Sequence, residues 1–264
     1  MTSYAPGTFC WVDLAATDQD AAKKFYSTIF GWTANDLPMG DGVTYSMMQK
    51  NGKNAAAIAP MMPMQKDAGS PPTWNSYIAV DNVDTTANKA ASLGGTVVMP
   101  PMDVPEAGRM AIVQDPTGAY VSLWQPGNHK GAEVVNETGA VCWQELLTND
   151  TSKSKDFYTG LVGWSATEMP MPGMDYTIFN NGEKQAGGMF AIDPNWGPIP
   201  PNWTVYFAVD NCDATTAQIT SLGGKVLMGP SDIPGVGRFA TCQDPQGGAF
   251  AVLQPDMSGQ PIQA

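Results

Sequence analysis

The sequence is poor in basic residues, in histidine and in long apolar segments, and each shortage excludes a class of function. It has 13 lysines and arginines against 25 aspartates and glutamates, a formal net charge of −12. Without a basic cluster, the chain lacks the positive surface that binding to a nucleic-acid backbone requires. No segment approaches the roughly 18 consecutive apolar residues of a membrane span. The N-terminus lacks the basic and apolar segments of a signal peptide, so we expect a cytoplasmic protein without membrane contact.

Cysteines are also few and widely spaced. They show no C-x-x-C spacing and occur within apolar segments, as Cys10, Cys142, Cys212 and Cys242. A free thiol in such surroundings usually behaves as a small hydrophobic side chain. We therefore expect reduced cysteines in the core. The apolar content of 43% in 264 residues is enough for one large domain or two smaller ones.

What the sequence does contain is an internal duplication. GTFCWVDLAATDQDAAKKFYSTIFGW, residues 7–32, matches GAVCWQELLTNDTSKSKDFYTGLVGW, residues 139–164, at an offset of 132. A second block begins at Trp74 and Trp203 and repeats at an offset of 129, including a D-P-x-G turn in each copy. Such a repeat predicts two equivalent halves. The expected divisions are a first domain at 1–126, a linker at 127–138 and a second domain at 139–264.

Each half shows the same order of strand and helix twice. Residues 9–14 alternate like a strand, Asp18 is a typical helix cap, and Gly31 ends the helix that follows. In the next unit, Asp84 is the expected cap of a helix that ends at Gly94. Further strands follow each helix. The predicted fold class is α+β, with four βαβββ units in the chain.

These elements carry a resemblance to a known family. A capped helix that ends in F-Y-x-x-x-x-G-W, with a later D-P-x-G before the final strand, resembles the vicinal oxygen chelate superfamily, which includes glyoxalase I, bleomycin-resistance proteins and extradiol dioxygenases. The chain is similar to an actinobacterial glyoxalase-like group that includes a mycobacterial culture-filtrate antigen. The resemblance implies that pairs of βαβββ units form curved sheets, giving two tandem glyoxalase-like cups. It also implies a monomer whose halves correspond to a dimer of single-cup relatives.

Metal-dependent members of this family usually hold their ion with histidine, glutamine and glutamate at three strand positions. Those positions fall on residues that are poor ligands for zinc or iron, namely Trp11, Asn75 and Ser122 in the first half and Trp143, Thr204 and Ala251 in the second. The single histidine, His129, falls in the linker. The resemblance therefore implies that the usual metal site is lost, and we expect no metal and no other cofactor.

Strand alternation predicts what lines the cups instead. Successive side chains point to opposite faces of a strand, so Asp13 shares the face of Trp11, and Glu145 shares that of Trp143. The same alternation adds further residues to the cup faces: Asn75, Tyr77, Tyr120, Ser122 and Trp124 in the first half, and Thr204 and Tyr206 in the second. Each cup is expected to be aromatic, to hold one carboxylate and to take a small-molecule ligand.

Each candidate residue has a structural alternative. The two tryptophans are either stacking platforms for a flat ligand or ordinary core residues. Asp13 and Glu145 are either acid–base groups with a raised pKa or carboxylates bonded to their neighbours. Arg109 and Arg238 either bind a ligand carboxylate or carbonyl or, as we favour, pair with nearby acids. The candidate acids are Asp103, Asp115, Asp232 and Asp244.

Two functions are consistent with this pattern. The first is a metal-free protein that sequesters or presents a small aromatic or heterocyclic metabolite, or assists an oxygenase that modifies one. The second is an enzyme, either a glyoxalase-like lyase, isomerase or hydrolase or one associated with a polyketide hydroxylase. In the enzyme, Asp13 or Glu145 moves a proton, with or without a weakly bound hard metal. In a third arrangement, one half binds the ligand and the other only completes the fold.

Overall fold

The computed structural model describes residues 4–67, 69–171 and 174–256. The described part of the first half contains β1 (Phe9–Ala16), α1 (Gln19–Phe30), β2 (Thr33–Gly40), β3 (Val43–Lys50), β4 (Lys53–Pro60), α2 (Pro63–Asp67), β5 (Thr73–Ala79), α3 (Val83–Ser92), β6 (Thr96–Val104), β7 (Gly108–Gln114) and β8 (Tyr120–Pro126). The described part of the second half contains β9 (Val141–Thr148), α4 (Thr151–Val162), β10 (Ser165–Met171), β11 (Met174–Asn181), β12 (Lys184–Ala191), a 3₁₀ turn (Pro194–Trp196), β13 (Asn202–Ala208), α5 (Cys212–Ser221), β14 (Lys225–Ile233), β15 (Gly237–Gln243) and β16 (Ala249–Pro255).

These strands form two eight-stranded sheets, one in each half. The first sheet has the order β2-β3-β4-β1-β5-β8-β7-β6, and the second repeats it as β10-β11-β12-β9-β13-β16-β15-β14. In the middle of the first sheet, β1 is antiparallel to β5, while β1–β4 and β5–β8 are parallel pairs. Each sheet therefore joins two βαβββ units of the same half. The predicted α+β class with two tandem cups is confirmed.

Local signals set the helix ends. The Asp18 carboxylate accepts from the amide of Ala21, and Gly31 ends α1 with a left-handed φ of 68°, as the sequence predicted. The predicted cap of α3 was wrong. Asn82, not Asp84, caps this helix by accepting from the amide of Thr85. Asp84 lies in the first turn instead, where a carboxylate interacts favourably with the helix dipole.

The faces of the sheets that do not line the cups pack the two halves together. Val12 and Leu14 of β1 share one buried cluster with Phe30 of α1, Phe207 of β13 and Phe250 of β16. In a second cluster, α3 and β8 of the first half pack in the same way with α4 and β9 of the second. Thus the first unit of each half packs against the second unit of the other.

Hydrogen bonds between the halves involve the residues on which the family resemblance rests. The hydroxyl of Tyr26, in the F-Y pair of α1, donates to Asp244 of the second D-P-x-G turn at 2.9 Å. Tyr158 of α4 is likewise hydrogen-bonded to Asp115 of the first turn. The tryptophan of the first G-W pair also bonds across the halves, since the indole of Trp32 donates to the carbonyl of Gly139. Helix and turn motifs that are distant in sequence thus bond the two halves symmetrically.

The four cysteines are buried and free, as predicted. Every helix among the described residues is too short or too polar to cross a bilayer. Residues 127–138, the expected linker, follow the last strand of the first sheet and precede the first strand of the second.

Candidate functional site: two cups around buried carboxylates

The two central strands of each sheet bring the predicted cup residues together. In the first sheet, Asp13 of β1 lies opposite Asn75 of β5, and Trp11 lies opposite Tyr77. Tyr77 in turn lies beside Ser122 of β8. We call this face of the first sheet the first cup, and the corresponding face of the second sheet, around Trp143 and Glu145, the second cup.

Asp13 is the polar centre of the first cup. Its side chain is buried, with the residue only 6% exposed. The hydroxyls of Tyr45 and Tyr77 donate to one carboxylate oxygen at 3.0 and 2.8 Å, and the amide of Asn75 donates to the other at 2.8 Å. The indole of Trp11 donates to the Tyr45 oxygen at 2.9 Å. Trp11 is thus linked to the carboxylate through one tyrosine.

Glu145 occupies the same place in the second cup. The hydroxyl of Tyr176 donates to one of its oxygens at 2.8 Å, and the hydroxyl of Tyr206 donates to the other. The indole of Trp143 donates to the Tyr176 oxygen at 3.0 Å. Gly188 lies beneath Tyr176, where a Cβ atom would stand 1.8 Å from the tyrosine hydroxyl. The glycine therefore leaves the space in which Tyr176 reaches the carboxylate.

Tyr45 and Tyr176 were not among the cup residues predicted from the sequence. They lie on β3 and β11, two strands away from the central pair. The two tyrosines are related by an offset of 131. This offset falls between the two blocks that defined the repeat, at 132 and 129. Extending the repeat through the β3 hairpin would have found a tyrosine in both halves.

Burial controls the ionisation of both carboxyl groups. It raises the pKa of Asp13 and of Glu145 above the ordinary values, because the low-dielectric interior disfavours the charged form. The hydrogen bonds that each carboxylate accepts lower the pKa in part. Burial and the adjacent carboxylate raise the pKa of Tyr77 and Tyr206, so both phenols stay protonated as donors. Each cup therefore holds a carboxyl group that can accept a hydrogen bond or a proton.

The linker closes the first cup. We call residues 127–133 the strap. The backbone of His129 is fixed, since its amide donates to the carbonyl of Ala107 and its carbonyl accepts from the indole of Trp124. The imidazole lies edge-on to Trp11, with ring centroids 4.5 Å apart. Burial lowers the pKa of His129, and its Nε2 is buried with no hydrogen-bond partner among the described residues.

The two cups differ at several matched positions. Asn75, which donates to Asp13, is replaced in the second half by Thr204, whose hydroxyl donates to Asn202 instead. Ser122, hydrogen-bonded to Tyr77, is replaced by Ala251. The second carboxylate therefore has fewer donors than the first.

Two other predicted cup residues, Tyr120 and Trp124, differ in burial. Trp124 is buried in the first cup with Trp11 and Tyr77. Tyr120, at the start of β8, is 53% exposed. The structure thus brings Trp124 into the cup cluster and leaves Tyr120 at the surface.

The arginines form ion pairs on the helix side of each sheet. Arg109 bonds both oxygens of Asp84 at 2.8 Å and one oxygen of Asp103 at 2.8 Å. Arg238 repeats this with Asp213 and Asp232. The favoured pairing with Asp103 and Asp232 is present. Asp115 and Asp244 instead accept backbone amides within their own turns.

Residues at the family's usual metal positions do not fit a zinc or iron ion. The three residues of the first cup, Trp11, Asn75 and Ser122, offer no imidazole, thiolate or carboxylate. The second cup has Trp143, Thr204 and Ala251 there. Over the part of the chain that the structure describes, no group of three or more His, Cys, Asp and Glu side chains is arranged to hold a metal ion.

The fold and the paired cups define the class of protein. The family model of the Glyoxalase/Bleomycin resistance protein/Dioxygenase superfamily matches residues 8–123 and again 135–252. The chain belongs to this superfamily, as its sequence motifs predicted.

Its relatives include proteins that match it over nearly their whole length. It is 48% identical over 256 residues to "Putative glyoxylase CFP32" of Mycobacterium bovis, covering 96% of this chain and 97% of the relative. It is 35% identical to "Anthracycline biosynthesis protein DnrV" of Streptomyces peucetius, covering 96% and 95% of the two chains.

Solved structures confirm the fold. The Mn(II)-bound glyoxalase from Novosphingobium aromaticivorans superposes with a TM-score of 0.64 at 13% identity, over 94% of this chain and 82% of that one. The 2,2',3-trihydroxybiphenyl 1,2-dioxygenase from Sphingomonas wittichii also gives 0.64, at 14% identity over 98% and 100%.

Proposed function

We propose that this protein binds a small planar aromatic or heterocyclic metabolite in a tryptophan-lined cup, without a metal at the family's usual positions. The observation that carries the proposal is the Trp–Tyr–carboxyl network, Trp11–Tyr45–Asp13, which recurs as Trp143–Tyr176–Glu145. It takes the place of a metal site at the centre of each sheet.

The network suits a flat ligand with one polar edge. Tryptophan and tyrosine offer large apolar surfaces at a low cost in side-chain entropy, and ring stacking adds about 0.5–1.5 kcal/mol to the burial of area. The buried carboxyl group selects for a ligand that brings a hydrogen-bond donor, since a polar group buried without a partner is unfavourable. Such a site binds by shape and one directed hydrogen bond.

The relatives support this ligand class. Two curated relatives, at 35% and 34% identity, are named anthracycline biosynthesis proteins, and anthracyclines contain a planar, hydroxylated ring system. By this proposal the chain sequesters such a compound in the cytoplasm or presents it to an oxygenase. It acts as a monomer, because its halves already cover each other's apolar faces. Sedimentation that finds only a large obligate oligomer would contradict the monomer.

Titration with an aromatic ligand tests the binding function. Daunorubicin and 2-hydroxyanthraquinone are added to the protein while tryptophan fluorescence and heat release are recorded. We expect saturable binding that weakens at least tenfold in the double variant Trp11→Ala, Trp143→Ala, because the stacking surface is lost. Met39→Ser, at an exposed residue of β2, controls for non-specific adhesion. Equal affinity in the double variant and the wild type would contradict the proposal.

The second candidate function is acid–base catalysis of the glyoxalase type. Burial raises the pKa of Asp13 and Glu145, which brings a carboxyl group closer to the range useful for proton transfer. The name of the relative "Putative glyoxylase CFP32" also favours glyoxalase-type catalysis. Here Asp13 or Glu145 accepts the proton from the carbon next to the carbonyl of a 2-oxo-aldehyde adduct.

Turnover of the hemithioacetal of methylglyoxal tests the second candidate, with Asp13→Asn and Glu145→Gln made singly and together. Loss of turnover in the double variant with an unchanged fold supports catalysis, and retained turnover refutes it. Elemental analysis before and after incubation with zinc, nickel, manganese and iron is the accompanying measurement. A stoichiometric metal would contradict the metal-free proposal.

A further inference from the structure

We propose that the ligand site is the second cup, and that its ligand is a planar aromatic compound with a phenolic hydroxyl that donates to Glu145. This inference rests on the proposed binding function and assigns it to one half. It follows from four differences between cups whose central residues are otherwise matched.

The strap covers the first cup. Besides the bonds of His129, the amide of Ala132 donates to the carbonyl of Cys10 at 2.8 Å, and the amide of Glu133 donates to the carbonyl of Asn54 at 2.7 Å. The strap is therefore tied to both β1 and β4. Under it, Trp11 is only 4% exposed, and its ring is already in contact with the imidazole of His129.

The corresponding tryptophan of the second cup is more accessible. Trp143 is half-buried, whereas Trp11 is buried. A cavity of about 60 Å³ reaches Trp143 from the junction of the two halves, where Phe9 and Asn136 also line it. The cavity that reaches Trp11 from the same junction is about 20 Å³, and Ala132 of the strap lines it together with Gln144 of the second half. Among the described residues, Trp143 is thus less covered than Trp11.

The aromatic surface of the second cup extends to its rim. Phe190 stacks on Tyr176 with ring centroids 6.3 Å apart, and Trp196 lies edge-on to Phe190 at 6.0 Å with 42% of its surface exposed. The position that matches Phe190 in the first half is Ala59, because Ala57 and Gly188 pair with Asp13 and Glu145 respectively. Only the second of these positions offers a ring to an entering ligand.

The second carboxyl group also has unused capacity. A carboxylate has about four acceptor sites, two on each oxygen. Asp13 already accepts two tyrosine hydroxyls on one oxygen and the Asn75 amide on the other. Glu145 accepts one tyrosine on each oxygen, which leaves a site on both. A phenolic hydroxyl is the donor that an aromatic ligand would bring to it.

The only histidine of the chain gives a direct test in the unaltered protein. Because His129 lies against Trp11, isotope-labelled histidine reports occupancy of the first cup by a single set of imidazole resonances. We expect one equivalent of 2-hydroxyanthraquinone to bind by calorimetry while these resonances stay in place. Two equivalents, or a shift of the imidazole resonances on binding, would overturn the assignment.

Matched variants and ligands supply the second measurement. We expect Trp143→Phe to weaken binding at least tenfold more than Trp11→Phe, and 2-methoxyanthraquinone to bind at least tenfold more weakly than 2-hydroxyanthraquinone. Glu145→Gln should reduce that ligand preference more than Asp13→Asn does. A larger loss of affinity in Trp11→Phe than in Trp143→Phe, or a larger loss of ligand preference in Asp13→Asn than in Glu145→Gln, refutes the inference and leaves the proposed function standing. No binding of either ligand to the wild type refutes both.

Discussion

Removing the hydroxyl of Tyr26 should strongly destabilise the protein, although Tyr26 packs between the halves and not in a cup. Tyr26 is fully buried between the halves. Its hydroxyl donates to Asp244 at 2.9 Å and accepts from the indole of Trp74 at 3.1 Å. Burial and Asp244 raise the pKa of Tyr26, so the phenol remains a donor over the accessible pH range. The variant Tyr26→Phe therefore leaves the Asp244 carboxylate and the Trp74 indole N–H without the tyrosine hydroxyl as a partner.

The expected loss follows from those two contacts. A hydrogen bond to a charged group contributes about 1.5–3 kcal/mol, and a buried donor without a partner costs about 1–3 kcal/mol. Allowing for incomplete additivity, Tyr26→Phe should lower the free energy of unfolding by about 3–5 kcal/mol. For a chain of this size that corresponds to a fall in Tm of roughly 10 °C.

Urea unfolding followed by circular dichroism is the assay. Tyr158→Phe is the matched variant in the other half, and it should be destabilised to a similar degree, because Tyr158 accepts from Trp203 and is bonded to Asp115. Tyr120→Phe, at an exposed tyrosine, is the control and should change nothing measurable. A loss below about 1 kcal/mol in both Tyr26→Phe and Tyr158→Phe would show that these bonds do not hold the halves together.

Three further predictions concern the cups and the arginines. The pKa of Glu145 is raised by burial above its ordinary 4.5, so its contribution to stability is fully present below that pH and is lost as pH rises through the folded-state value. Glu145→Gln should remove this part of the pH dependence of urea unfolding above pH 4.5, and profiles of wild type and variant that stay parallel would contradict this prediction. Gly188→Ala should displace Tyr176 and weaken ligand binding, because the new Cβ would lie 1.8 Å from its hydroxyl. Ala57→Gly is the opposite change in the first half, and an equal effect on affinity would contradict the role of Gly188. Arg109→Ala should leave ligand affinity unchanged in titration, because Arg109 faces Asp84 while its neighbour Met110 packs in the first cup.

The sequence predicted the features that depend on periodicity. Strand alternation correctly grouped Trp11 with Asp13, and the repeat predicted the same arrangement around Glu145. The edge strand β2 was harder to see, because all of its residues are exposed and no apolar alternation marks it.

Contacts between distant segments could not be derived in the same way. Asp84 is 25 residues from Arg109, and only the packing of α3 on β7 makes them partners. The tyrosines that complete the networks come from strands outside the central pair. The strap, which covers the first cup, belongs to a segment that the sequence predicted only as a linker. Such contacts follow from three-dimensional topology, which spacing along the chain does not encode.

The crosswise packing of the halves has a consequence for how the chain can change over time. In a dimer of identical single-cup subunits, every substitution would appear in both cups at once. Here the two copies are joined in one chain, so each position can mutate separately while association no longer depends on protein concentration. The bonds of Tyr26 and Tyr158 are retained in both copies, while Asn75 has a threonine counterpart and Ala59 a phenylalanine. Fusion thus allows one copy to serve as scaffold while the other acquires a new specificity.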